Sequence, residues 1–298
     1  MMTDFKERFG EYLKKKKKVS ENTLNSYLRD IEQFLEYLDG RKISAKDVSG
    51  DEIGKYIFGL ESRGRSKSSV NRMLSSIRCF YRFMNFEGEC LVVNPASGIK
   101  SSKPDQKAPE ILTENEIEML LSAPDQTELK GCRDRAMLEI LYATGIRVSE
   151  LVELRVDDVN LQVGILHCRG GKNERIIPIY DEAVRAVKDY IDRVRSMIIL
   201  DFNEPVLFTN MNGSPMTRQG FWKIIKTYAK QTGINKDITP QTLRHSFAAH
   251  LLENGAQLND IKEMLGHSDI SSTQMYARLV KQKYKNSYSH FHPKARRA

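Results

Sequence analysis

Five side chains in the C-terminal half of the sequence have the types needed to break a phosphodiester bond. They are two arginines, a lysine, a histidine and a tyrosine, at Arg147, Lys172, Arg244, His267 and Tyr276. The forked guanidinium of arginine neutralises phosphoryl oxygens, the phenolate of tyrosine attacks phosphorus, and the ammonium of lysine protonates the departing alkoxide. Together they predict a phosphoryl transfer that passes through a tyrosine ester and needs no metal ion.

The first arginine lies in the motif Ala-Thr-Gly-Ile-Arg-Val-Ser-Glu-Leu, residues 143–151. An apolar helix should end at Gly145, and Arg147 should open the next helix beyond a tight turn, which fixes the direction of its guanidinium. The alternative is that Arg147 pairs with Glu150 on the helix surface, which is the commoner arrangement for an isolated arginine.

The second arginine lies in a longer motif, Thr-Pro-Gln-Thr-Leu-Arg-His-Ser-Phe-Ala-Ala-His-Leu-Leu, residues 239–252. A proline close to its start favours a helix. The apolar residues of that helix form a core stripe and leave Arg244 off the stripe. His245 and His250 are expected to pack between helices and not to bind a metal.

The histidine and the tyrosine share a third motif. Gly266 should end one helix, His267 should lie in the turn, and Tyr276 should follow in the next helix, nine residues after His267. Taken alone this pair is a weak signal. Tyr276 could be an ordinary half-buried aromatic residue, and Tyr284 or Tyr288 could matter as much.

These motifs need a helical scaffold, and hydrophobic spacing predicts one. In the second half of the chain, helices are expected near 114–122, 131–143, 147–153, 181–199, 217–231, 240–254, 257–265 and 270–278. Two apolar runs, 163–168 and 174–179, flank a Gly-Gly pair and predict a β-hairpin. Thr113 and Glu116 form a capping-box pattern at the start of this half.

The first third of the chain predicts a small helical bundle, with helices over 20–40, 49–62 and 66–86. Up to residue 107 the sequence holds 21 Lys and Arg against 15 Asp and Glu, a net +6 of the +8 for the whole chain. A polyanionic partner is therefore expected mainly for this part.

The overall composition fits a cytoplasmic protein. The 298 residues give room for two domains and include no apolar run of the ~20 residues that would span a bilayer. Charges near the N-terminus argue against an export signal. Four dispersed cysteines predict reduced thiols, with neither disulfides nor a zinc site.

The three motifs, in this order and spacing, resemble those of the tyrosine recombinases, and most of all the Xer-type recombinases that resolve chromosome dimers. The resemblance extends over nearly the whole chain. It includes Ser-x-x-Thr-x-x-x-Tyr-x-x-Asp at 20–30, Ser-x-x-Arg-x-Leu-Ser-Ser-Ile-Arg-x-Phe-Tyr-Arg-Phe at 69–83, Asn-Pro-Ala at 94–96 and His-Pro-Lys-Ala at 292–295.

The resemblance implies a mainly α fold. A helical-bundle, SAM-like DNA-binding domain (core-binding domain) is expected over residues 1–98 and a linker over 99–111. A mostly α catalytic domain with a small antiparallel β-sheet should cover 112–280. A tail at 281–298 should dock on a neighbouring protomer.

The resemblance also implies roles for the motif residues. Arg147 and Arg244 would bind the scissile phosphate, His267 would hydrogen-bond it, and Tyr276 would attack it to form a 3′-phosphotyrosyl ester with DNA. The two arginines are expected to favour the phenolate of the tyrosine. No metal or nucleotide cofactor is implied, because the ester retains the energy needed to rejoin strands.

Two positions depart from the family's pattern. The family's lysine, which protonates the leaving 5′ oxygen, lies on the turn of a hairpin, and here the spacing of that turn differs. Lys172, the lysine between Arg169 and Arg175, is assigned this role, and either arginine is an alternative. Three residues before the second arginine, where the family usually has histidine or lysine, this chain has Gln241. Glutamine can donate a hydrogen bond to a phosphoryl oxygen but cannot relay a proton.

Six basic residues between Ser62 and Phe86, with no acidic residue among them, predict contacts with DNA. They are Arg63, Arg65, Lys67, Arg72, Arg78 and Arg82. A helix that carries them can lie in a major groove, with its side chains on phosphates and base edges. The alternative is a solvated basic surface.

The partner implied by the resemblance is a double-stranded DNA recombination site. A tetramer of recombinases would bind two copies of a dif-like site and resolve chromosome dimers for partition at cell division. Participation of a second recombinase or of a DNA translocase stays open. Rival interpretations are a phage or mobile-element integrase, a type IB topoisomerase that rejoins the original strand, and a DNA-binding protein without activity.

Overall fold

The computed structural model describes residues 2–88, 93–102, 109–170, 174–199, 201 and 203–291, with the backbone alone for 2–4 and 282–291. The chain divides into two compact units, residues 1–107 and 108–298. Both units are mainly helical and the second contains a small antiparallel sheet, which confirms the predicted fold class. Among the helices of these described ranges, none has the length and apolar character to cross a membrane.

The first unit is a helical bundle of α1 (Met2–Lys15), α2 (Glu21–Gly40), α3 (Gly50–Ser62) and α4 (Lys67–Phe86). The last three helices form where they are predicted. Ser20, Ser49 and Ser66 precede them, and each accepts a hydrogen bond from an amide of the first turn. The sequence patterns above do not predict α1. Its Phe9 is buried and packs edge-on against Phe80 of α4, with ring centroids 5.4 Å apart.

A segment without regular structure packs along α4 in the same unit. Arg78 donates hydrogen bonds to the backbone oxygens of Ala96 and Ile99. Asn71 donates to the backbone oxygen of Ser102 at 2.6 Å. These bonds satisfy carbonyls that have no partner in a helix or sheet. The chain up to Ser102, including the first residues of the predicted linker, is therefore attached to the first unit.

The second unit encloses a large apolar core. In order along the chain its elements are α5 (Glu114–Ser122), α6 (Leu129–Thr144), α7 (Val148–Glu153), β1 (Val159–Asn160), β2 (Ile165–Cys168), β3 (Arg175–Pro178), α8 (Asp181–Tyr190), α9 (Ser196–Ile198), α10 (Arg218–Gln231), α11 (Pro240–Glu253), α12 (Leu258–Leu265) and α13 (Ser271–Phe291). The predicted capping box of Thr113 and Glu116 forms at the start of α5. A π-helical turn at Ile191–Arg195 joins α8 to α9.

β2 and β3 form the predicted hairpin, in which Ile165 pairs with Pro178 and Cys168 with Arg175. β1 adds a third antiparallel strand beside β2 that the sequence patterns do not predict. Residues 171–173, which lie between β2 and β3 in the sequence, are outside the described ranges. β3, the second strand of the hairpin, begins at Arg175.

The last three helices pack around a second, smaller apolar cluster. Phe247 of α11, Ile261 and Leu265 of α12 and Tyr276 of α13 are its main members. α13 continues to Phe291, well beyond the predicted end at residue 278. This packing brings the candidate tyrosine and the second arginine motif into one part of the unit.

Candidate active site

The turn between α6 and α7 positions Arg147 as the sequence predicts. Gly145 ends α6 in the left-handed conformation, with φ of 57°, and a Cβ there would collide with the ring of Phe247. Arg147 is the N-cap residue of α7. Its Nη1 donates to Glu150 Oε1 at 3.1 Å, and its Nη2 to the backbone oxygen of Gly266 at 3.0 Å. The pair with Glu150 and the predicted turn therefore occur together.

Arg244 is buried, in contrast to the expectation that it lies off the core stripe of α11. It is 2% exposed and donates to the backbone oxygens of Gly145 and Leu265. Burial, followed by the charge of Arg147, lowers the pKa of Arg244 to about 10, so the side chain remains a cation at neutral pH. Arg147 and Arg244 are thus held by neighbouring turns.

His267 lies beside Arg244 in the turn after α12. Its Nε2 is 3.0 Å from Arg244 Nη2, and its Nδ1 is 3.0 Å from Thr273 Oγ1. Because a guanidinium only donates, Nε2 must accept and the ring proton must sit on Nδ1. Burial, and then the charges of Arg244 and Arg147, lowers the pKa of His267 to about 4. The ring is therefore neutral at pH 7.

Tyr276 is enclosed between α11 and α13. Its side chain is 1% exposed, and its hydroxyl lies 2.9 Å from Nδ1 of His245. Burial raises the pKa of Tyr276, and the nearby charge of Arg244 offsets this only in part. The charge of Arg244 favours the phenolate as expected, but desolvation of the phenolate outweighs this effect, so the net pKa is raised.

The two histidines of α11 have different surroundings. His250 packs between helices as predicted, with Nδ1 at 2.9 Å from the hydroxyl of Tyr142 and Nε2 at 2.9 Å from the backbone oxygen of Leu112. His245 instead touches the candidate nucleophile Tyr276, and burial lowers its pKa to about 4. In the sequence, the position of His245 directly after the candidate catalytic residue Arg244 is the feature that could have pointed to this contact.

An open cleft of about 620 Å³ lies beside the two arginines. Its lining includes Arg147, Gln241 and Arg244, together with Arg218 and Trp222 of α10. Gln241 is exposed, so its amide can donate to a group in the cleft. The cleft therefore offers three guanidinium groups and an amide to an anion, as expected of a phosphate site.

The hairpin supplies one further contact to this region. Lys172 lies outside the described residues. Of its two alternatives, Arg169 is half exposed and pairs with Asp158. Arg175 donates to both carboxylate oxygens of Glu150, at 3.0 and 3.1 Å. Arg175, and not Arg169, therefore reaches the residue that holds Arg147.

The six basic residues of the first unit are placed in different ways. Five of them are exposed on or just before α4, namely Arg63, Arg65, Lys67, Arg72 and Arg82. Arg72 also pairs with the buried carboxylate of Asp30 at 3.0 Å, and the half-buried Arg78 holds the segment that follows α4. Arg29 of α2 lines the same small groove as Arg65 and Arg72. Sequence reasoning missed Arg29 because it comes from another helix.

The partly buried imidazoles of His245 and His267 predict a pH dependence of stability. The pKa values of His245 and His267 are about 4 in the folded protein and about 6.5 when unfolded, so the unfolded chain binds more protons between these values. Stability should fall as pH falls from about 6.5 to 4. We expect about 1 kcal/mol from each imidazole between pH 7.5 and 5, after allowance for partial exposure.

The single tryptophan makes this measurement specific, because Trp222 lies in α10 of the second unit. Urea unfolding followed by its fluorescence should show a smaller pH effect for His245→Gln and His267→Gln than for the unchanged chain. Between pH 7.5 and 9 the difference between each variant and the parent should stay constant. An equal loss of stability in all three proteins on acidification would contradict neutral, partly buried imidazoles.

Comparison with known families assigns both units. Residues 110–283 match the Phage integrase family, and residues 7–88 match the Phage integrase N-terminal SAM-like domain. The chain belongs to the phage integrase family, and so to the tyrosine recombinases. It is therefore an enzyme that cuts and rejoins DNA strands at specific sites.

Full-length relatives make the assignment narrower. The chain is 43% identical to a protein named Tyrosine recombinase XerD from Staphylococcus haemolyticus, over 97% of this chain and 98% of the relative. It is 44% identical to a protein of the same name from Oceanobacillus iheyensis, with the same coverage. Within the family the chain is of the Xer type.

Solved structures show the same fold. A crystal structure of XerA recombinase aligns with a TM-score of 0.54 and 26% identity, covering 98% of this chain and 99% of that one. A structure of XerH site-specific recombinase bound to palindromic difH substrate aligns with a TM-score of 0.77 and 21% identity, covering 89% of this chain and 79% of that one. At the latter identity the likeness concerns the fold alone.

Proposed function

We propose that this recombinase cleaves DNA with Tyr276 as nucleophile and Arg147 and Arg244 as the phosphate clamp. Tyr276 attacks phosphorus, the 5′ oxygen leaves, and a 3′-phosphotyrosyl ester forms. Lys172 protonates the leaving oxygen. The arginines neutralise the charge that develops on the phosphoryl oxygens. A 5′ hydroxyl from a partner strand then reverses the step, so rejoining needs no ATP.

The observation that carries this proposal is the shared cleft. Arg147 and Arg244, which lie 97 positions apart in the sequence, line one opening together with Gln241. Their donors and the amide of Gln241 suit the oxygens of a single phosphate. Gln241 contributes a hydrogen bond here, while a proton relay through this position is ruled out by its chemistry.

The enclosed tyrosine implies a movement before cleavage. Because Tyr276 is 1% exposed and bonded to His245, a phosphate in the cleft can meet its hydroxyl only if the start of α13 shifts. Bound phosphate would also counter the positive charge around His267. That would favour a ring with a proton on Nε2, which can donate to a phosphoryl oxygen.

The first unit is proposed to grip the DNA as the core-binding domain. Arg63, Arg65, Lys67 and Arg82 are exposed, and Arg29 of α2 adds a charge to the groove that Arg65 lines. Arg72 shares its charge with Asp30 and can still contact a phosphate from its exposed position. We assign Arg78 mainly to the hydrogen bonds that hold the following segment.

The assembly and the target complete the proposal. Four protomers are expected to bind two DNA sites, with the tail at 281–298 docked on a neighbour. The Xer-type relatives favour a dif-like chromosomal site and the resolution of chromosome dimers in the cytoplasm. A second recombinase and a DNA translocase are candidate partners of that assembly.

A plasmid assay tests the proposed function. A supercoiled plasmid with two direct repeats of the host's dif-like site should be resolved into two smaller circles, in the presence of a chelator. The same plasmid without the sites should remain unchanged. Relaxation of the site-free plasmid would indicate a topoisomerase, and exchange only between two non-identical attachment sites would indicate a mobile-element integrase. Either result would overturn the proposed target.

A further inference from the structure

Three successive backbone oxygens at the end of α12 each accept a hydrogen bond from a different arginine. Met264 accepts from Arg175 Nε at 2.5 Å. Leu265 accepts from Arg244 Nη2 at 2.7 Å, and Gly266 from Arg147 Nη2 at 3.0 Å. The last carbonyls of a helix have no partner within it and carry the negative end of its dipole. One turn therefore orients three guanidinium groups, and two of them form the phosphate clamp.

The third guanidinium, that of Arg175, is as firmly held as the other two. Its side chain is 9% exposed, and its two terminal nitrogens bind the two oxygens of Glu150 at 3.0 and 3.1 Å. Such a forked pair fixes orientation as well as charge. Gly266 lies directly against it, since a Cβ there would be 2.7 Å from Arg175 Nη1. The turn that leads to His267 is thus closed against Arg175.

Glu150 connects Arg175 to the clamp. Besides Arg175, its carboxylate binds the backbone amide of Arg147 at 2.7 Å and Arg147 Nη1 at 3.1 Å. Burial alone would raise the pKa of Glu150, but the hydrogen bonds from Arg175 and Arg147 outweigh it, and the net effect lowers the pKa. Without Arg175, the whole charge of this carboxylate would fall on Arg147 and compete with the phosphate.

We propose that Arg175 is a positioning residue for strand cleavage. By sharing Glu150 with Arg147 and holding the end of α12, it sets the direction of the Arg147 guanidinium and the place of His267. It is not the donor of a proton to the leaving oxygen, although it lies three positions after Lys172 in the hairpin. This inference rests on the proposed cleavage chemistry and adds a residue to it.

The test compares Arg175 with Arg133, a buried arginine of α6 whose Nε and Nη2 bind the carboxylate of Asp134. Arg175→Lys keeps the charge but loses the fork, and Arg133→Lys is the matched control. Single-turnover cleavage at saturating DNA by the folded protein should fall about 100-fold for Arg175→Lys, the size expected when a clamp is misplaced by about 1 Å. Arg133→Lys should stay within about threefold of the parent, and DNA affinity should change less than about threefold in both.

A substrate with sulfur in place of the bridging 5′ oxygen separates positioning from proton donation. Sulfur leaves without being protonated, so the substrate should restore cleavage to Lys172→Ala, which lacks the proposed donor. It should not restore cleavage to Arg175→Lys, because the arginine clamp is still needed. Restoration of cleavage by Arg175→Lys with this substrate, or a rate for Arg175→Lys equal to that of Arg133→Lys, would overturn the inference.

A second variant covers the case in which Arg175→Lys fails to fold, as judged by the fluorescence of Trp222. Glu150→Gln leaves Arg175 in place and removes the charge that the two arginines share. Its cleavage rate should fall about as far as that of Arg175→Lys, and the substrate with bridging sulfur should not restore it. Normal cleavage by Glu150→Gln would contradict the inference. If the parent chain itself forms no covalent complex with DNA, the proposed function fails, and that outcome is distinct from a failure confined to the variants.

Discussion

Replacement of Tyr276 by phenylalanine should abolish covalent attachment to DNA and leave DNA binding intact. Phenylalanine keeps the ring that packs between α11 and α13 and removes the oxygen that would attack phosphorus. With a nicked substrate that traps the intermediate, the parent chain should form a complex stable to detergent. The variant should form none, with an affinity for the site within about threefold of the parent.

The matched control for this change is Tyr142 of α6, which, like Tyr276, bonds to a histidine of α11. Tyr142 bonds to His250 at 2.9 Å, the same distance that separates Tyr276 from His245. Tyr142→Phe removes an equivalent hydroxyl–imidazole bond without touching the candidate nucleophile, so it should keep cleavage. Trapped product from Tyr276→Phe, or an equal loss from Tyr142→Phe, would refute the assignment of Tyr276.

Replacement of Arg244 by lysine should lower cleavage by about 10²–10³-fold or more, the typical effect of removing one preorganised donor from a developing charge. Lysine has a single point charge and cannot reach the oxygens of Gly145 and Leu265 while also facing the phosphate. The change should also destabilise the second unit by about 1–3 kcal/mol, because a buried carbonyl loses its partner. Single-turnover cleavage and urea unfolding measure the two effects.

Arg195 provides the comparison for the effect on stability. It is also buried and donates to backbone oxygens, those of Glu204, Val206 and Leu207. Arg195→Lys should therefore destabilise the protein by a similar amount and leave the cleavage rate of the folded enzyme within about threefold. If both variants lost cleavage equally at the same degree of folding, the loss in Arg244→Lys would come from replacing any buried arginine. It would then not show a contact between Arg244 and the phosphate.

Much of the fold, and the turns that carry the site residues, could be predicted from the sequence because they depend on residues close together in the chain. The capping box at Thr113 depends on residues three positions apart, and the left-handed caps at Gly145 and Gly266 depend on one residue each. These features fixed the turns that carry Arg147 and His267. The hairpin followed from two apolar runs around a glycine pair.

Properties that depend on distant contacts could not be predicted. α11 is buried around most of its circumference, so the hydrophobic spacing suggested an exposed side for Arg244 that does not exist. The contact between His245 and Tyr276 joins residues 31 positions apart, and the raised pKa of the tyrosine comes from its burial. The hydrogen bonds of Arg78 to the segment after α4 could not be predicted either, because an irregular segment has no sequence pattern.

The most direct test is to map the amino acid that becomes attached to DNA. The trapped complex with a nicked site, formed in the presence of a chelator, would be digested with protease and the peptide–oligonucleotide conjugate sequenced by mass spectrometry. The nucleotide should be found on Tyr276, joined through its 3′ phosphate. Attachment to Tyr284, Tyr288 or any other residue, or a strict need for magnesium in forming the conjugate, would contradict the proposed mechanism.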